Sequence, residues 1–213
     1  MSVSITSIGA MLFTLLISFV LPIVLIIVVK RKTGAPVLNA FVGAGIFILF
    51  VLILEQILHW LVLSYTPVAQ IPAAYILYGC LAAGVFEETG RFFAFTVLKR
   101  KEPDTKLGNA LMYGVGHGGA EAILLVAGST ASTLFLALLL NVGGVEGLTA
   151  GMTGETLATA MEDLTRLTTT SSLLYMMPGL ERLVALCLHI ALSVLVWMTV
   201  TGRLSKIDRK SVV

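Results

Sequence analysis

Between Gly84 and Leu125 the chain reads GVFEETGRFFAF, a basic break, and then GVGHGGAEAILL. Glu87, Glu88, Arg91, His117 and Glu121 therefore sit inside two apolar segments, each long enough to cross a bilayer. An ionisable group in hydrocarbon costs about 2.5–3.5 kcal/mol on insertion scales. Five such groups at membrane depth have to be paired and put to use.

The composition around this stretch leaves one class of protein. Of 213 residues, 57% are hydrophobic and 12% charged, with a mean hydropathy of +0.98; soluble domains carry about 25% charge. The expectation is an all-α polytopic membrane helix bundle, a single integral domain over residues 1–213. A net charge of +2 argues against a nucleic-acid partner and leaves the lipid bilayer as the setting. Cys80 and Cys187 fall in apolar runs without a CxxC pair, which speaks against both a disulfide and a thiolate metal site. No phosphate-binding loop is present, and GVGHGG does not follow a nucleotide fingerprint.

A crossing takes about 20 apolar residues. Runs of that order cover residues 5–29, 37–63, 72–98, 107–127 and 180–200. The first exceeds the 7–15-residue core of a signal peptide and lacks a basic leader, so it reads as a retained helix. Basic clusters follow the first run (Lys30, Arg31, Lys32), the third (Lys99, Arg100, Lys101) and the last (RLSKIDRK from Arg203). Such clusters mark cytoplasmic ends. They place the N-terminus outside the cell membrane and the stretch 128–178 outside as well. The piece 131–142 then cannot cross and is expected as a short re-entrant or interfacial helix, leaving about five full crossings. The final Ser211-Val212-Val213 reads as the start of a further span.

Depth decides which polar residues can meet. At 1.5 Å per residue, Glu87 and His117 each lie roughly 16 Å, and His189 roughly 20 Å, from the cytoplasmic ends of their helices. Three helices thus carry ionisable groups to nearly one level. Arg91 is i+4 from Glu87 and i+3 from Glu88, so it reaches either carboxylate and leaves one free as base or metal ligand. His117 and Glu121, at i,i+4, share a face, and histidine with carboxylate is a normal first shell for a divalent ion such as zinc. His189 and Ser193 repeat that spacing on the last helix. Gly108, Gly114, Gly116, Gly118 and Gly119 clear space for a neighbouring helix or an extended substrate, and weaken their own helix enough to predict a local break.

Plainer readings exist for each residue. Glu87, Glu88 and Arg91 could be an ion-pair lock, though one lock needs only one glutamate. A lone histidine is usually a satisfied core residue, but His117 has Glu121 on its face; His189 has only Ser193. Glu55 and His59 are as well explained by packing or hydrogen bonding as by a site role. Glu181 and Arg182 open the last span, where an acid suits a helix N-terminus. Trp60 and Tyr65 read as interfacial anchors, and Phe92, Phe93 and Phe95 as packing residues.

Glu87, Glu88 and Arg91 in one span, followed by His117 in the next, resemble the CPBP/ABI superfamily, which includes the CAAX prenyl proteases. HGGAE from His117, with ERLVALCLHIALS from Glu181, resembles more closely the YhfC-type intramembrane metalloproteases. Against the superfamily pattern, the first motif is one residue shorter, and Tyr113 and Ser193 replace a phenylalanine and an amide or acid. The resemblance implies hydrolysis of a peptide bond in a membrane-embedded or lipid-modified substrate. It makes Glu87 the base that activates water, His117 an assistant or metal ligand, and Glu88 the partner of Arg91. His189 becomes a further ligand or oxyanion stabiliser. The candidate metal ligands are His117, Glu121, His189 and Glu87, with zinc as the metal. Two other functions use the same buried cluster: a proton- or cation-coupled transporter or channel, and a non-enzymatic immunity or sensor subunit. Many transporters show an inverted repeat, and none is evident.

Overall fold

The computed structural model describes residues 1–101 and 106–203, and its regular elements are helical throughout. They are α1 (Ile5–Thr33), α2 (Leu38–Tyr65), α3 (Pro72–Lys101), α4 (Leu107–Thr149), α5 (Gly154–Thr169) and α6 (Ser172–Val200), with a 3-10 turn, Pro67–Gln70, before α3. The all-α membrane fold is thus observed. Four helices, α1, α2, α4 and α6, are both long and apolar enough to cross a membrane. The expected count of five is not met on that measure. α3 has 30 residues, but Glu87, Glu88 and Arg91 interrupt its apolar run.

Several boundaries differ from expectation. The fourth span and the piece 131–142 form one continuous helix, so no separate re-entrant element follows a break near residue 128. Hydroxyls explain the continuity: Ser132 donates to the Gly128 carbonyl and Thr133 to that of Ser129, so polar side chains are satisfied within the helix. The chain departs from helical geometry later, at Gly144 (φ 67°). The glycine-rich stretch itself stays helical, and the ladder widens to a π-helix only beyond it, at Ala122–Ala127. The last helix begins at Ser172 and contains Pro178, which puts Glu181 in its third turn, paired with Arg182, and not at its N-terminus. The acidic stretch 143–172 holds an unexpected helix, α5, whose apolar side buries Leu164 and Leu167. The further span suggested by residues 211–213 lies outside the described residues. Cys80 and Cys187 are free thiols.

The chain divides into two compact units. One comprises Met1–Ile23 and Ala122–Ala185. Val3, Met11, Leu134, Ala137, Leu140, Leu164 and Leu167 form its core, and the Asn141 side chain pairs with both the N–H and the carbonyl of Val3 at 2.7 and 2.9 Å.

The other unit comprises Val24–Glu121 and the described part of the chain from Leu186 onward. Phe95, Tyr113 and Trp197 stack at its centre, with Phe95 4.5 Å from Tyr113 and 5.2 Å from Trp197 between ring centroids. Lys99 donates to the Val200 carbonyl across 2.7 Å, and Gly108 packs on Thr33. The C-terminal ends of α1, α3 and α6 therefore gather at one end, bringing Lys30, Arg31, Lys32, Lys99, Arg100 and Arg203 together.

Glycines set the helix spacing here. A Cβ on Gly116 would lie 2.0 Å from the Ala40 carbonyl oxygen, and one on Gly43 2.3 Å from that of Tyr113. α2 and α4 thus touch backbone to backbone, as small residues allow in membranes. Gly116→Ala is expected to destabilise the protein by about 1–3 kcal/mol, the usual cost of overpacking. Gly45→Ala, where no atom lies within 4 Å of the new methyl group, should be neutral or slightly stabilising. Thermal unfolding of both variants in detergent checks the contrast.

Candidate metal centre

Three helices build the centre. α3 carries Glu87, Glu88 and Arg91 one turn apart, α4 carries His117 and Glu121, and α6 carries His189. The aromatic core one turn below fixes their facing: His117 stands over Tyr113 (centroids 5.9 Å apart) and edge-on to Phe47 at 5.4 Å. Gly118 lets α6 come close enough that a Cβ there would sit 3.0 Å from the His189 ring. The two imidazoles are then 5.1 Å apart.

Arg91 is fully buried and forked. One terminal nitrogen, Nη1, donates to Glu88, and the other donates to Glu87 Oε2 at 3.0 Å and to His189 Nδ1 at 2.5 Å. The expectation that arginine would take one glutamate and free the other is therefore not met. A planar guanidinium has five donors, enough to bridge two carboxylates and an imidazole. Its single charge still faces two acids, Glu87 largely shielded and Glu88 39% exposed.

Glu87 Oε2 is also 3.6 Å from His117 Nε2 and 3.4 Å from His189 Nδ1. Each of the three residues offers one ligand atom, and these atoms lie within 4.8 Å of one another. Glu121 stands elsewhere: its carboxylate pairs with Nε2, the far nitrogen of His189. A carboxylate behind a histidine is the usual arrangement around metal-bound imidazoles, where it orients the ring. Ser193 is buried on α6, where Gly114 packs against it, and its hydroxyl makes no hydrogen bond.

The donor set suits a divalent cation. Two imidazoles and a carboxylate are common zinc ligands. Buried His117 has no hydrogen bond on either ring nitrogen, an unusual condition for a buried polar side chain and the one expected of a ligand.

A second cluster was not assembled from the sequence. Glu55 on α2 contacts His59 Nε2 at 3.3 Å, and His59 Nδ1 shares a hydrogen bond with the Tyr78 hydroxyl of α3 at 2.7 Å. The i,i+4 spacing of Glu55 and His59 was its visible signal; Tyr78 had none.

Comparison with known proteins agrees with the geometry. The YhfC intramembrane metalloprotease family matches residues 17–207. The uncharacterized membrane protein YhfC of Bacillus subtilis (strain 168) is 38% identical over 192 residues, covering 88% of this chain and 72% of that protein. No solved structure matches the chain. Family match and relative together span the three helices of the centre, and the chain belongs to the YhfC intramembrane metalloprotease family.

Proposed function

We propose that this chain hydrolyses a peptide bond of a membrane-embedded or lipid-modified substrate at Glu87, His117 and His189. The supporting observation is the convergence of one ligand atom each from Glu87, His117 and His189 within 4.8 Å. Three protein ligands with an open position are the usual make-up of a catalytic zinc site. A zinc ion held by these residues would supply Lewis acidity, acidifying a water and polarising the scissile carbonyl.

The chain's own residues perform the proton work. Glu87, through Oε1, the oxygen not turned to the two imidazoles, takes one proton from the attacking water, whose remaining O–H adds to the acyl carbon. The C–N bond breaks, and Glu87 delivers the proton to the leaving nitrogen. Arg91 holds Glu87 in place through its hydrogen bond. Glu88 balances the guanidinium, and Glu121 orients the His189 ring. The gathered basic ends of α1, α3 and α6 face the cytoplasm of the cell membrane, with the N-terminus outside.

Glu87→Gln and His117→Ala, made separately, should each lower cleavage of a membrane peptide by at least about 100-fold, the contribution of a general base. Thermal unfolding would show the fold retained. Full cleavage by both variants overturns the protease, and loss of ion flux without any cleavage favours a transporter. Elemental analysis should find zinc in the wild type, and Glu121→Gln should bind it about 10–100-fold more weakly, as loss of an outer carboxylate does. Topology is tested with Cys80 and Cys187 replaced: an impermeant maleimide should label Gln70→Cys in intact cells and Lys32→Cys only after permeabilisation.

A further inference from the structure

Both ring nitrogens of His189 are engaged. Nε2 is in contact with a Glu121 oxygen, and Nδ1 meets Arg91, a group that only donates, which leaves the ring proton on Nε2. Nδ1 then holds the single lone pair of a neutral imidazole, and an N–H of Arg91 donates to it across 2.5 Å. Nδ1 is also the ring nitrogen that His189 turns toward Glu87, 3.4 Å from its Oε2, in the group formed with His117. One lone pair cannot serve an N–H donor and a metal ion together. Glu87 is under no such limit, because each carboxylate oxygen has more than one acceptor direction.

We propose that Arg91 gates the loading of the metal centre: its guanidinium competes with the ion for Nδ1 of His189. When the centre fills, Arg91 releases His189 and keeps Glu87 and Glu88. This rests on the metalloprotease reading and adds what an incoming ion must displace.

The placement of Arg91 supports an exchange of cations over a passive strut. It shares α3 with both acids, one turn away, so it can leave α6 without losing its charge partners. Arg91 is the side-chain cation in contact with Glu87, Glu88 and His189, and removing one partner from a buried charged group is costly. Once an ion neutralises Glu87, a guanidinium at hydrogen-bond distance from His189 Nδ1 is a like charge beside it. A gating arginine and a scaffolding arginine therefore predict opposite signs. Deleting a gate raises ion affinity while weakening the metal-stripped protein; deleting a scaffold lowers both.

The full chain, purified in detergent and stripped with a chelator, is titrated with Zn2+ against a chromophoric competitor, and its melting temperature is read before and after. Arg91→Met retains the stem and removes every N–H. Its Zn2+ affinity should rise roughly tenfold to a hundredfold, within the usual span of coupling between bound groups. Its stripped form should melt lower than wild type, and Zn2+ should raise its melting temperature by more. Methylguanidinium added to Arg91→Ala should bring the affinity back down. Equal or weaker Zn2+ binding by a folded Arg91→Met overturns the gate and leaves the centre standing. Failure of both wild type and variant to take up Zn2+ sinks the metal reading itself. If the variants do not fold, the wild type labelled with 15N-arginine decides: Zn2+ should shift the Arg91 side-chain resonance, and an unmoved resonance overturns the gate.

Discussion

Glu87 Oε2 is the atom on which the centre depends. Arg91 from its own helix, His117 from α4 and His189 from α6 all come within 3.6 Å of it. A carboxylate in apolar surroundings is unstable unless it is paired and hydrogen-bonded. That requirement acts on whole helices, since turning α4 or α6 by one residue would swing its imidazole away and leave the acid with Arg91 alone. The polar cluster therefore also selects the rotational setting of the three helices, which lipid-facing leucines and valines leave nearly free.

Satisfying that oxygen requires the backbones to come unusually close, which only glycine permits. On α4, Gly116 meets Ala40 of α2, while Gly114 and Gly118, four apart and hence on one face, meet Ile190 and His189 of α6. His117 lies between these two contact faces and is sealed on both sides. The glycines thus make the first part of α4, Leu107–Glu121, the axis of its unit. Helix association in lipid draws on van der Waals contact more than on the hydrophobic effect, so the lost propensity of each glycine is offset by tighter packing. The same packing accounts for a glycine-rich helix that nevertheless runs unbroken through Glu121.

The parts of this arrangement legible in the sequence were those governed by length and depth. Residue counting placed Glu87, His117 and His189 on one level, and the structure brings their side chains together. Glu121 shows the limit. Its i,i+4 spacing from His117 established a shared face, but which nitrogen its carboxylate meets depends on how closely α6 approaches at Gly118. The bridging by Arg91 was hidden for a similar reason, since spacing along a helix says who can be reached and not how many at once. Boundaries were misread wherever a polar or breaking residue is satisfied locally, as with Ser132 and Thr133 in α4, Pro178 in α6 and the threonines of α5.

The Glu55, His59 and Tyr78 cluster shows what separates a clasp from a site within one unit. It too is a carboxylate and an imidazole in an apolar setting, linking α2 to α3. There both nitrogens of the histidine are engaged, Nδ1 in a hydrogen bond with the Tyr78 hydroxyl and Nε2 in contact with Glu55. At the centre, two imidazoles share one carboxylate oxygen, and His117 keeps both nitrogens out of any hydrogen bond. Burying a histidine in that condition costs stability that full pairing would have saved. Donor atoms left uncommitted in this way are what a metal-ligating imidazole requires.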